Sequence, residues 1–145
     1  MRVLGLDFGE RRVGIAISDP TGTIARPLQV LMRASREEDF AALAAIVAEH
    51  GVERIVVGQP LSLDGTEGPQ ARQVAGYAAA LADALPVEVV SWDERFTTIT
   101  ADEILRQTRK EKDRRRARGG GEIDAIAAAV ILQGYLDSGL QDDSG

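Results

Sequence analysis

Three carboxylates stand where their surroundings make a charge expensive or conspicuous. Asp7 interrupts the apolar run Val3-Leu4-Gly5-Leu6, and a carboxylate inside a central strand is costly unless it is paired or binds a metal. Gly5 and Gly9 flank it, which predicts room for a ligand to approach the backbone; the alternative is a turn-side Asp capping a hairpin. In Ser91-Trp92-Asp93-Glu94-Arg95 a neutral strand ends abruptly in two acids and a base. Charges at the carboxyl end of a βαβ strand point into the crevice where such sheets place ligands; ordinary strand-end polarity is the plainer account. Asp124 lies in the first turn of a helix, where the dipole favours a carboxylate in any case. Ala127 and Ala128 follow at i+3 and i+4, so that face can press on a sheet and present Asp124 over the strand ends.

Acids this far apart in the chain could converge on one spot, where like charges repel and divalent cations relieve the repulsion. All-oxygen ligation suits Mg²⁺ or Mn²⁺. Two such ions roughly 3.5–4 Å apart can clamp the attacking and leaving oxygens of a phosphodiester displacement, with no protein nucleophile required. That chemistry agrees with a chain that has no cysteine and one histidine. The histidine, His50, precedes Gly51 at the end of a predicted helix and reads as part of its C-terminal cap. Trp92, Tyr77 and Tyr135 are scattered and read as packing residues rather than a base-stacking array.

These residues have to be held by a scaffold, and the patterning predicts one. Arg2–Phe8 and Val13–Ser18 read as an opening hairpin, and Thr23–Val30 as a third strand pushed to an edge by Pro27. Ser35 and Glu38 have capping-box spacing ahead of a helix ending at His50-Gly51. Glu53–Gly58 is a buried strand, Gln59–Gly68 a loop, Pro69–Leu85 an Ala-rich helix and Val87–Trp92 another strand. Thr98–Thr108 and Glu122–Leu136 are the last two helices. A hairpin followed by βαβ units predicts an α/β fold with a mixed sheet covered by helices.

Bulk properties bound the function. The 145 residues suit one domain. The N-terminal apolar run is too short for a signal peptide, and no stretch is long enough to span a membrane, so a soluble cytoplasmic protein without membrane partners is expected. Net charge is −6, which argues against nucleic acid until its distribution is read. Between Arg106 and Arg118 eight basic residues, among them Arg114, Arg115 and Arg116, face only Glu111 and Asp113. Such a strip can hold phosphates beside a cation-binding site, or be a solvated mobile segment. The loop from Gly58 through Pro60 to Gly68 precedes a helix N-terminus, a geometry that binds anions through backbone N–H groups; a plain connection is the other reading.

Four segments carry a resemblance. Leu6-Asp7-Phe8-Gly9 with Val13-Gly14-Ile15-Ala16, Gly58 to Glu67, Asp93-Glu94-Arg95-Phe96-Thr97-Thr98, and Ile123 to Ala128 with Ile131-Leu132 resemble, in order, the four motifs of the YqgF family, also called RuvX. The resemblance runs from about residue 3 to residue 136. It implies an RNase H-like fold similar to that of the RuvC resolvases and a nuclease that matures the 5′ end of precursor 16S ribosomal RNA. An older reading of the family, a Holliday junction resolvase acting on branched DNA, stays open. Carried over, Asp7, Glu94 and Asp124 are catalytic and hold a two-metal site of Mg²⁺ or Mn²⁺. Arg95 would contact phosphate or orient Glu94, and the loop with Gly58 and Pro60 would border the substrate groove. Precursor RNA and the small ribosomal subunit are the implied partners, with the chain a monomer or a homodimer. The implied nuclease domain is 1–138, including a basic flexible segment at 106–121, with an acidic disordered tail at 139–145.

The chain also departs from its relatives. Where resolvases often carry a fourth acid one turn past the third, it has Ala127 and Ala128, so a water or Asp93 would complete the ligand set. Where many relatives have a basic residue before the last motif it has Glu122, and Arg114 to Arg118 would have to substitute. An actin-like nucleotide-binding domain would share the Asp7-Phe8-Gly9 hairpin but needs two such domains. A non-catalytic RNA-binding module would favour basic residues where the acids stand.

Overall fold

The computed structural model describes residues 1–61, 64–94 and 122–139. Five strands form one sheet: β1 (Val3–Phe8), β2 (Arg12–Ser18), β3 (Ala25–Met32), β4 (Arg54–Gln59) and β5 (Glu88–Asp93). Their order is β3-β2-β1-β4-β5. β1 and β2 pair antiparallel, as do β2 and β3, while β4 runs parallel to both β1 and β5. The sheet is therefore mixed, as the opening hairpin and later βαβ units require.

Among the described residues three helices cover it: α1 (Arg36–His50), α2 (Pro69–Ala84) and α3 (Glu122–Asp137). The pleat sorts alternate strand residues to opposite faces. Leu4, Leu6 and Phe8 join Ile55 and Val57 under Leu43 and Val47 of α1 and Val74 and Leu81 of α2. Val3, Ala16, Val56 and Trp92 pack on the other face against Ile126, Ala128, Leu132 and Tyr135 of α3. Tyr77, Trp92 and Tyr135 are all buried, in keeping with their reading as packing residues.

Local signals explain most boundaries. Ser35 Oγ accepts the Glu38 N–H at 3.1 Å, the first half of the expected capping box. Its second half, Glu38 reaching back to the Ser35 N–H, is not formed; instead the Asp39 carboxylate accepts the Ala34 N–H at 2.9 Å and the Tyr77 hydroxyl at 3.1 Å, fastening α1 to α2. The C-terminal cap of α1 is made by the backbone of Gly51, at φ +65°, which donates to the Val47 carbonyl. His50 Nε2 lies 3.9 Å from Glu49, too far for a hydrogen bond. β3 begins two residues later than expected and continues to Met32. Pro27, which lacks an N–H, sits opposite Ala16 where the register shifts between Ile15 and Ala16.

Two buried polar groups tie α3 to the sheet. Gln133 accepts the Ala25 N–H at 2.9 Å and donates to the Thr23 carbonyl at 2.9 Å, satisfying backbone at the start of the edge strand. Arg54 donates to the Tyr135 hydroxyl at 2.8 Å, and its Nε lies 2.7 Å from the Glu88 carboxylate, an ion pair whose alignment falls short of a hydrogen bond. The expected helix at 98–108, the basic segment 106–121 with Arg114, Arg115 and Arg116, Arg95, and positions 140–145 of the expected tail lie outside the described residues.

Candidate active site

Asp7 is the centre of the arrangement. It belongs to the set Val3, Gly5, Asp7 that faces α3, and its neighbours on the adjacent strands are glycines. Gly14 of β2 is directly opposite Asp7. Gly58 of β4 follows the Leu6–Val57 pair, one step further along the parallel ladder. Each glycine makes room for another carboxylate. A Cβ on Gly14 would lie 2.0 Å from the Asp124 carbonyl oxygen and 2.5 Å from its carbonyl carbon, so the first turn of α3 rests on the bare backbone of β2. This contact sets Asp124 above Asp7. A Cβ on Gly58 would lie 3.2 Å from Glu94 Oε2 and 2.6 Å from Ile131 Cδ1. Glu94, just past the end of β5, therefore reaches back across β4 toward Asp7.

The electrostatics follow from this placement. The proton affinity of Asp7 is raised first by burial and then by the negative charge of Asp124. That of Glu94 is raised by burial, then by Asp7, then by Asp93. Among the described residues neither Asp7 nor Glu94 has a hydrogen-bond or ion-pair partner to offset the cost. Asp124 is better served, since Arg12 Nη1 lies 3.4 Å from its Oδ2. That pair is exposed and long, a geometry that contributes little.

Divalent ions suit the donor set, because buried, mutually repelling carboxylates without a cation are short of positive charge. As the side chains stand, no three acids among the described residues are gathered closely enough to ligate a single ion. Asp7 lies between the other two, and Asp124 is turned to Arg12. Drawing the three acids onto ions would require side-chain rotation and release of that weak pair.

The other expected site residues fall in distinct places. Gly58 is the penultimate residue of β4, and the space over it is filled by Ile131 and Glu94. Gly5, expected to leave room for a ligand, instead admits α3: a Cβ there would lie 2.7 Å from Leu132 Cβ and 3.2 Å from the Ala128 carbonyl. Gly9 serves the hairpin turn, donating to the Arg12 carbonyl at 2.8 Å. Pro60 is half-buried just beyond β4. Of the alanines expected to face the sheet, Ala128 is fully buried while Ala127 is only half-buried. Sequence reasoning missed Gly14 as the seat of α3 and Arg12 as the neighbour of Asp124. The signal available was a glycine within β2 and an arginine at the mouth of a hairpin that carries an acid.

Comparison with known proteins adds to the geometry. A protein from Desulforamulus reducens that carries the name "Putative pre-16S rRNA nuclease" is 42% identical over 141 residues, covering 97% of this chain and all of the relative. A relative of the same name from Symbiobacterium thermophilum is 45% identical over 138 residues, covering 95% and 93% of the two chains. Among solved structures, Thermus thermophilus RuvC in complex with a Holliday junction substrate superposes with a TM-score of 0.61 at 18% identity, covering 96% of each chain. The fowlpox virus Holliday junction resolvase gives 0.58 at 12% identity, covering 95% of this chain and 99% of the resolvase. The fold is thus the RNase H-like fold of RuvC. The family model described as RuvX, Holliday junction resolvase, matches residues 1–138, and the chain belongs to the RuvX family.

Proposed function

We propose that this chain is a divalent-metal-dependent nuclease in which Asp7, Glu94 and Asp124 are the metal-holding acids. One observation carries the reading: Asp7 on β1 lies between Glu94 at the end of β5 and Asp124 in the first turn of α3, each pair close enough to feel the other's charge, with Asp7 and Glu94 half-buried and without a cation among the described residues. Mg²⁺ or Mn²⁺ held there, as one ion or two, would supply Lewis-acid stabilisation to a phosphodiester undergoing hydrolysis. The chain's own part is placement. Asp7 is fixed by a central strand, Asp124 by a helix seated on Gly14, and Glu94 by the cleared space over Gly58. Arg95, the Gly58–Pro60 turn and Arg114, Arg115 and Arg116 are proposed as substrate contacts, with the basic segment supplying the cationic strip an acidic chain needs to hold RNA.

The substrate proposed is precursor 16S ribosomal RNA, met in the cytoplasm on or near the small ribosomal subunit; the name borne by the relatives supports this. Among the described residues no helix is long and apolar enough to cross a membrane. The decisive experiment is digestion of a precursor 16S RNA fragment with Mg²⁺ or Mn²⁺, beside the Asp7→Asn protein. Metal-dependent cleavage by the wild type and none by the variant is expected; full activity of the variant would remove the mechanism. The family description and the RuvC likeness favour a second reading, resolution of branched DNA by a two-fold dimer. Paired symmetric cuts in a four-way DNA junction, with precursor RNA left intact, would install it in place of the first.

A further inference from the structure

Phe8 follows Asp7 directly and faces the opposite side of the sheet, where it lines a second feature. A small cleft, open to solvent, lies between the tip of the β1–β2 hairpin and the start of α2. We propose that this cleft receives one nucleotide of a single-stranded RNA whose backbone is cut further along at the acids; the inference rests on the nuclease reading of that site.

The lining has the two chemistries a nucleotide requires. Its floor is apolar, formed by the small exposed remainder of Phe8 and Tyr77, whose rings meet edge to face at 4.1 Å. Its rim carries Gln70 and Gln73, both exposed and nearly one turn apart on α2. Each amide offers both a donor and an acceptor, the pairing needed to read the edge of an unpaired base. Positive charge is supplied by Arg33, which is held in place on two sides. It donates to the Gly9 carbonyl at 2.9 Å, and its guanidinium lies 5.4 Å from the centroid of Tyr77. Arg36 lies 5.7 Å from the same ring. An anchored guanidinium keeps further N–H donors for a phosphate and a flat face for a base. The N-terminus of α2 adds its dipole, for Gly68 caps it without a side-chain hydrogen bond. Glu10 is the one acidic residue in the lining, set against these two arginines.

Position then gives the cleft its role. Consecutive residues of β1 face opposite sides of the sheet, so acids and cleft lie back to back at one end of it, separated by the hairpin tip. Rounding that tip suits a flexible single strand better than a stiff continuous duplex. The cleft would thus favour single-stranded over continuous duplex substrate.

The test begins with binding, which does not need cleavage. Isotope-labelled protein is titrated with AMP, GMP, CMP and UMP while the glutamine side-chain amides are followed by NMR. A labelled single-stranded RNA is then bound by wild type and by the Gln70→Ala/Gln73→Ala protein in chelator, with a duplex of the same sequence as control. Shifts at the Gln70 and Gln73 amides are expected. Single-strand affinity should fall about threefold to tenfold in the double variant, as for the loss of one or two hydrogen bonds, with duplex affinity unmoved. Both glutamines are exposed, so the variant should fold; Arg33→Ala, which also loses the Gly9 contact, is a supporting variant only. Unmoved amides at millimolar nucleotide, or nucleotide binding without any change in RNA affinity, would overturn the proposal. Cleavage of RNA alongside unmoved amides removes the cleft and keeps the nuclease; shifted amides with no cleavage do the reverse.

Discussion

At Asp7 the proposed function and stability pull in opposite directions. Burial and the charge of Asp124 raise its proton affinity, and burial and Asp7 do the same for Glu94. The folded chain therefore holds protons at these positions more tightly than the unfolded chain does. Linkage then sets the sign: their contribution is most favourable below the ordinary carboxylate range and is lost as pH rises through that range to the raised folded values. In chelator, Asp7→Asn should consequently be more stable than wild type at about pH 7, and the advantage should vanish at about pH 3.5, where the aspartate is protonated in both states. Urea unfolding at the two pH values checks this. A variant less stable than wild type at neutral pH would mean that the carboxylate makes a favourable contact, and the electrostatic account of the site would fail. Asp19 shows the contrasting case. Its carboxylate accepts the backbone N–H of Ile24 at 2.9 Å, the Thr21 hydroxyl and the backbone N–H of Thr23 at 2.8 Å, and its proton affinity is held far below the usual range by those bonds. Asp19→Ala should cost about 1–2 kcal/mol at neutral pH, with the loss shrinking only in strong acid.

Among the elements, glycines decide how closely α3 meets the sheet, and they separate a structural from a functional requirement. Gly14→Ala drives a methyl into the backbone of Asp124, which has no side-chain rotation with which to yield. It should cost about 2–4 kcal/mol, at the upper end for overpacking, and lower activity by displacing the first turn of α3. Gly58→Ala meets the tip of Ile131, which can turn aside, and Glu94 Oε2 at 3.2 Å. It should cost about 1 kcal/mol or less and still depress cleavage. Thermal unfolding and initial rates on the two variants test the contrast; equal stability losses would undo it. The same elements show how much was legible beforehand. Strand and helix identities follow from local patterning, because the alternation in β1 and β2 and the cap at Ser35 are written within a few residues. Asp7 and Glu94 stood out because an apolar or neutral run breaks at or just before each, and Asp124 because small side chains follow it on one helix face. What local sequence could not carry is contact across the chain. The seat of α3 on Gly14, the hold of Arg12 on Asp124 and the use of Gly5 for packing pair residues more than a hundred positions apart. The capping box failed in its second half because Asp39, one residue further on, also reaches the Tyr77 hydroxyl.

For the whole molecule, the proposed function would divide the charge map between binding a cation and binding a polyanion. The chain is acidic, at −6, so steering by net charge is unfavourable to RNA and the basic residues must act locally. Arg12 stands at the boundary, close enough to Asp124 to compete with a metal ion and close enough to the acids to meet a phosphate. Its pair with Asp124 is exposed and 3.4 Å long, worth about 0.2–1 kcal/mol. Removing it should therefore tighten divalent-ion binding by only about twofold to fivefold. Thermal unfolding reads this directly. At Mg²⁺ or Mn²⁺ concentrations about a hundredfold above Kd the wild type should gain about 2.7 kcal/mol, or about 5–10 °C in a domain of this size. Arg12→Ala should reach the same rise at lower metal concentration, and Asp7→Asn should show almost none. If the Asp7→Asn protein were stabilised as much as wild type, the ions would be binding elsewhere, and the proposed metal site at Asp7 would fall.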